Sequence, residues 1–205
     1  MVHENLDTAA NVFSNETQIY QGGAMVLHTL RGVLGDDVFW AGIRLYYSRY
    51  RNGSASTDDL RYAMEDACYA AGNCPEDHQD LSWFFHEWLN CGGILTVSGS
   101  WHYDATAKQL HVDADQTQSQ GLYRMPIEIG IVEAPVSPAA TAEGKTQLGR
   151  NTLERRPGEP QIQKAVILVD KAQNSLIIPL DAAPAAVQLD PGMWVPLMRA
   201  TFEAN

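Results

Sequence analysis

The sequence has little sulfur, little positive charge and no long apolar run. Its longest unbroken aliphatic stretch, Ala165 to Val169, is far short of the roughly 20 residues a transmembrane helix needs. No membrane-spanning segment is therefore expected. Lysine and arginine number 14 against 25 aspartates and glutamates, a formal net charge of -11. Phosphate backbones and anionic headgroups attract the opposite sign, so neither nucleic acid nor a membrane surface is expected as a partner. The three cysteines, Cys68, Cys74 and Cys91, contain no C-x-x-C pair, which argues against a zinc knuckle or a dithiol redox motif. Cys68 and Cys74 are spaced to allow a small disulfide in an oxidising compartment, but two unpaired thiols are the expected state. Met1 to Asp7 carry neither a basic segment nor an apolar h-region, so no secretory signal is read there. An excised piece would look the same, and the compartment stays open. There is no internal repeat, no G-x-S-x-G, no P-loop and no dinucleotide fingerprint.

What is present is a chain of 205 residues, 45% hydrophobic and 19% charged, which is the composition of an ordered protein able to bury its own core. Its character changes near residue 92. Residues 1–92 hold 13 acids and 5 bases, and residues 93–205 hold 12 and 9. In the first region apolar residues recur at helical spacing. Val26, Leu30, Val33 and Leu34 mark one helix, Phe39, Ile43, Tyr46 and Tyr50 a second, and Leu60, Ala63, Met64 and Ala67 a third. Leu81, Phe84, Phe85, Trp88 and Leu89 mark a fourth. Asn15 and Gln18 resemble a capping box, Ser56 or Thr57 opens the third helix, and Gly35, Gly53, Gly72 and the Gly92–Gly93 pair are placed as stops.

Beyond Gly93 the period drops to two. Strands are expected at Leu95–Tyr103, Gln109–Gln116, Leu122–Val132, Gln161–Val169, Ser175–Leu180 and Ala186–Leu189, with a hairpin over Asp104 to Lys108 and a long polar loop over Pro135–Pro160. The expected architecture is α+β in two parts: a helical bundle over residues 1–92 followed by an antiparallel β-sandwich over residues 93–205.

Candidate chemistry is sparse. His3-Glu4 and His86-Glu87 each begin like the H-E-x-x-H zinc helix, but Asp7 and Asn90 stand where the second histidine must be, so no metal ligand is assigned. Solvent-facing or capping roles are expected for His86 and Glu87. Glu65-Asp66 and Asp58-Asp59 are read as solvated helix faces, because helical neighbours point about 100° apart. His102 and His111 fall on the two arms of the hairpin and are read as an ordinary cross-strand pair. From spacing alone Tyr20 is an interfacial core residue.

The stretch from Ile19 to Leu30, with Tyr20-Gln21-Gly22-Gly23-Ala24 at its start, resembles the Y-x-K-G-A helix of the membrane alanyl aminopeptidase (aminopeptidase N) family of zinc metallopeptidases, the gluzincins. The likeness continues in order through Leu34-Gly35-Asp36-Asp37, Tyr46-Tyr47-Ser48-Arg49-Tyr50, Ser56-Thr57-Asp58-Asp59-Leu60 and Trp83 to Leu89. It reaches Gln116-Thr117-Gln118 and Tyr123 to Ile127 in the strand region. The resemblance implies that residues 1–92 are the second half of a thermolysin-like catalytic domain. It also implies that the parent enzyme hydrolyses N-terminal residues from peptides with zinc-activated water. Tyr20 then matches the family's transition-state tyrosine, a protonated phenol that donates to the oxyanion.

Gly22 departs from the family's lysine, which leaves a non-catalytic scaffold or binding module as the alternative. The family's zinc helix and its downstream glutamate lie several dozen residues before the tyrosine, and only 19 residues precede Tyr20. The expectation is a C-terminal part that lacks the zinc-binding half, binds no zinc itself, is inactive alone and is prone to self-association through its unpartnered helical face.

Overall fold

The computed structural model describes residues 20–72, 74, 79–133 and 162–205. The predicted cap at Asn15 and Gln18, His3, Glu4 and Asp7, and the predicted loop over Pro135–Pro160 all lie outside these residues.

Among the described residues of the first half, four helices follow one another: α1 (Gly22–Leu34), α2 (Asp36–Tyr50), α3 (Thr57–Ala71) and α4 (Ser82–Phe85). In α1 the buried side chains Val26, Leu30 and Leu34 are four apart, so one stripe faces inward while the rest of the helix meets solvent. Helix α3 starts with the expected capping box. Ser56 Oγ accepts the Asp59 N–H at 3.2 Å, and the Asp59 carboxylate accepts the Ser56 N–H at 2.8 Å. The two orphan donors of the first turn are satisfied reciprocally.

Helices α2 and α3 approach closely at Gly42, where an added Cβ would collide with the Met64 sulfur and lie 3.2 Å from the Met64 Cα. Arg49 crosses the same contact to Asp66 at 2.7 Å. Leu30, Phe39, Met64, Leu81 and Phe84 are central to the helical core.

The expectation of two unpaired thiols is corrected. Gly72 ends α3 in the left-handed conformation (φ 70°), which turns the chain back along the helix. Cys74 thereby comes alongside Cys68, with the Cα atoms 5.4 Å apart, and the two form a disulfide. That separation is within the range a disulfide spans. Cys91, half-buried, takes no part in this disulfide.

Past α4 the helix continues as a π turn, His86–Asn90, whose closing bond runs from the Cys91 N–H to the His86 carbonyl at 3.1 Å. Seven strands follow among the described residues: β1 (Thr96–Asp104), β2 (Gln109–Gln116), β3 (Met125–Val132), β4 (Ile162–Val169), β5 (Gln173–Pro179), β6 (Ala186–Leu189) and β7 (Met198–Ala204). One sheet has the order β5-β2-β1-β7 and the other β4-β3-β6. The six expected strands are present within a few residues of their predicted ends.

Strand β7 was not expected, and it runs parallel to β1, so the sheets are antiparallel-rich rather than wholly antiparallel. Its sequence alternates weakly, and pairing with β1 decides its place. Leu110 and Val112 from one sheet share a buried cluster with Ile127, Ile129, Ile167 and Leu189 from the other. Val33 and Trp88 pack against both this cluster and the helical one. The described residues are thus α+β, with four helices and two sheets. None of the described helices is long and apolar enough to cross a membrane.

Candidate functional site

Tyr20 lies in the π-type turn that leads into α1, and its side chain is 65% exposed. The core reading of this residue is therefore wrong: the apolar stripe of α1 begins further along, at Val26. Gly22 is buried two positions on, where the family's long lysine would stand. The hydroxyl of Tyr20 is presented to solvent from a helix start that the body of the protein holds in place.

That hold comes from the later part of α1. His28 stacks on Trp194 with ring centroids 4.8 Å apart, and its Nε2 is 3.1 Å from the Met193 carbonyl oxygen. Arg31 donates two hydrogen bonds to Asp36, at 2.7 and 2.8 Å. These bonds hold the Asp36 carboxyl below its ordinary range. The guanidinium also lies 5.5 Å from the Trp40 ring and 5.9 Å from the Trp194 ring. Trp194 is itself placed by the buried Asp190, whose carboxylate accepts the N–H groups of Trp194 and Val195 at 2.9 and 3.1 Å. His28 and Arg31 thus anchor the later turns of α1, the helix that Tyr20 precedes.

The carboxylates that spacing assigned to solvent divide differently. Glu65 is corrected. Its Oε1 accepts the Leu81 N–H and an Arg61 N–H, both at 2.9 Å, and joins α3 to the start of α4. Glu87 is half-buried and is not solvent-facing. Both of its oxygens accept the Arg124 N–H, and burial pushes its carboxyl up to about 7 against the lowering effect of Arg124. The 3.6-residue period used to place side chains does not hold through a π turn, which explains the misplacement. His86 is exposed, as expected.

Gln116 is a further residue that periodicity missed. Buried at the end of β2, it donates to the Tyr123 carbonyl at 2.7 Å and accepts the Tyr123 N–H at 2.8 Å. Among the described residues, no group of three or more His, Cys, Asp or Glu side chains could hold a metal ion.

Comparison with known proteins bears on this arrangement directly. Residues 2–88 match the Peptidase family M1 domain. Over that stretch the chain is similar to M1 peptidases. Aminopeptidase N of Escherichia coli (strain K12) is 29% identical over 113 residues, covering 51% of this chain and 12% of that protein. Aminopeptidase N of Lactococcus lactis subsp. cremoris (strain MG1363) is 30% identical over 80 residues, covering 39% and 8%. The crystal structure of Legionella pneumophila aminopeptidase A in complex with aspartic acid superposes with a TM-score of 0.64 at 13% identity. That match covers 89% of this chain and 18% of the Legionella chain, and it is a likeness of fold. The segment shared with each of these proteins is a small part of their length, and the similarity to the M1 domain and to aminopeptidase N supports a peptidase role in general.

Proposed function

We propose that this chain is the C-terminal part of a zinc aminopeptidase: the second half of a thermolysin-like catalytic domain, residues 1–92, followed by a β-sandwich, residues 93–205. The parent enzyme removes N-terminal residues from peptides, and Tyr20 is this chain's catalytic residue. The observation that carries the reading is an exposed tyrosine at the head of an anchored helix inside an M1 segment.

M1 peptidases are zinc-dependent in general. The described residues do not supply a zinc site, so no step is derived through the metal here. Metal and general base belong to an N-terminal half that would dock against these helices.

The contribution of the chain's own residues follows from simple electrostatics. When water adds to a peptide carbonyl, the carbonyl oxygen gains negative charge. The phenol hydroxyl of Tyr20 donates a hydrogen bond to that oxygen. The bond strengthens as charge develops, so it favours the transition state over the bound substrate. His28, Arg31 and Asp36 act as positioning residues by fixing α1.

The 205-residue chain should be inert toward aminoacyl anilides and become part of an active enzyme only with its upstream half. Anilide cleavage by the chain alone, abolished by a chelator, would contradict the proposal.

A further inference from the structure

Of the nine asparagines in the sequence, only Asn52 is followed by glycine. The pair lies in the turn that joins α2 to α3, and every residue from Arg51 to Asp58 is exposed. Asn-Gly is a turn-forming pair, because glycine removes the steric limits that a Cβ imposes on the backbone. The same freedom opens the glycine nitrogen to the asparagine side chain.

Local contacts leave the two groups able to meet. Among the described residues no hydrogen bond holds the Asn52 side chain. The Gly53 N–H donates to the Tyr50 carbonyl at 2.9 Å, at a helix end where exposed bonds of this kind open readily. A Cβ built on Gly53 would meet nothing nearer than that carbonyl oxygen, 3.9 Å away. The flank of the nitrogen is therefore open. The ends of the turn are fixed meanwhile: Arg49 binds Asp66 at 2.7 Å on one side, and the Ser56–Asp59 box closes the other. The turn can rearrange without either helix unfolding.

Asn90 and Asn174 lack these conditions. The amide that follows Asn90, on Cys91, is bonded to the His86 carbonyl at 3.1 Å. Asn174 is held by four hydrogen bonds, accepting from the Asp170 and Lys171 N–H groups and donating to the Ala114 and Lys171 carbonyls.

We propose that Asn52 is a self-modification site, at which the side-chain amide is lost as ammonia and a carboxylate takes its place. The Gly53 nitrogen gives its proton to hydroxide and bonds to the side-chain carbonyl carbon of Asn52. The bond from that carbon to the amide nitrogen breaks, the departing nitrogen takes up a proton, and ammonia leaves a five-membered succinimide. Water then adds to either ring carbonyl. Opening at one yields aspartate, and opening at the other yields isoaspartate, in which the chain runs through the side-chain methylene. No oxidant or cofactor is consumed. Both products place a negative charge beside the C-terminus of α2, the negative end of its dipole.

The test incubates the whole folded chain in warm, mildly alkaline buffer and follows protease digests by mass spectrometry. The peptide that contains residue 52 should gain the mass of an amide-to-acid exchange and separate into two products, at a rate proportional to hydroxide. Asn52→Gln should abolish the gain at that position. Gly53→Ala should slow it by about tenfold, since a Cβ narrows the backbone range open to the attacking nitrogen. Gly53 is not among the positive-φ glycines, so alanine fits there, and circular dichroism checks that the variant is folded. A synthetic peptide of residues 47–57 supplies the rate without the fold. A folded chain whose Asn52 stays intact while that peptide converts overturns the site, as does an undiminished rate in Gly53→Ala or an acid that appears first at another asparagine. The readout is independent of peptide hydrolysis, so failure here leaves the role of Tyr20 standing.

Discussion

The carboxylate of Glu87 accepts the backbone N–H of Arg124 through both oxygens, at 3.0 and 3.1 Å. This contact ties the π turn after α4 to the residues just before β3. Trp88 packs on Tyr123 beside it, at 5.5 Å between ring centroids, and the Arg124 guanidinium lies over Trp83 at 5.2 Å. The junction between helices and sheets therefore contains a titratable group with a displaced pKa.

Folding should depend on pH through Glu87. Its carboxyl is raised from 4.5 to about 7 in the folded chain, so the folded state binds the proton more tightly than the unfolded one. The stabilisation this brings is complete below about pH 4.5 and is lost as pH rises through about 7. Solvent screening of a half-buried group reduces the full-shift figure to ~1–2 kcal/mol. Glu87→Gln should flatten the melting temperature between pH 5.5 and 8.5 and raise it at the alkaline end. An unchanged slope in the variant would locate the titration elsewhere.

Replacing Tyr20 by phenylalanine separates chemistry from folding. The hydroxyl is on an exposed side chain, so the melting temperature should be unaffected, within ~0.5 kcal/mol. In the complete enzyme kcat should fall by ~100- to 1,000-fold with KM little changed, the loss of about 3 to 4 kcal/mol seen when one oxyanion donor is removed. A Tyr20→Phe enzyme with full kcat would remove the residue from the mechanism.

Two glycines should respond oppositely to alanine. A Cβ at Gly23 meets nothing within 4 Å, so Gly23→Ala relieves a helix of its conformational cost and should stabilise by ~0.5–1 kcal/mol. At Gly42 the same methyl collides with Met64, and overpacking of this kind should cost ~1–3 kcal/mol. Denaturant melts of the two variants measure both signs.

The isolated chain should self-associate. Met25, Leu27, Trp40, Tyr47, Tyr62 and Tyr69 are exposed on α1 to α3, and the proposed upstream half would cover part of this helical surface. Sedimentation velocity over a range of concentrations should show species heavier than 22.6 kDa. A single monomeric boundary at high concentration would contradict this.

Much of the scaffold was legible in the residues alone because its signals are local. The stripe Val26, Leu30, Leu34 turns a segment amphipathic whatever surrounds it, and the Ser56–Asp59 box closes within four residues. Alternation over Gln109–Gln116 similarly marks a strand with one buried face. The opposition of His102 and His111 was legible as well, since a short hairpin loop leaves few registers.

Tertiary structure decided what depends on partners distant in the chain. Glu87 left its expected solvent position because a π turn breaks the helical period and the Arg124 N–H, 37 residues away, needed an acceptor. Cys74 met Cys68 only because Gly72 reversed the backbone. Strand β7 found β1 across about a hundred residues, a pairing that no local pattern encodes. The helix that Tyr20 precedes has the same character: the sequence names a phenol at its head, but the contacts of His28 with Trp194 and Met193, 165 residues on, anchor that helix to the rest of the chain.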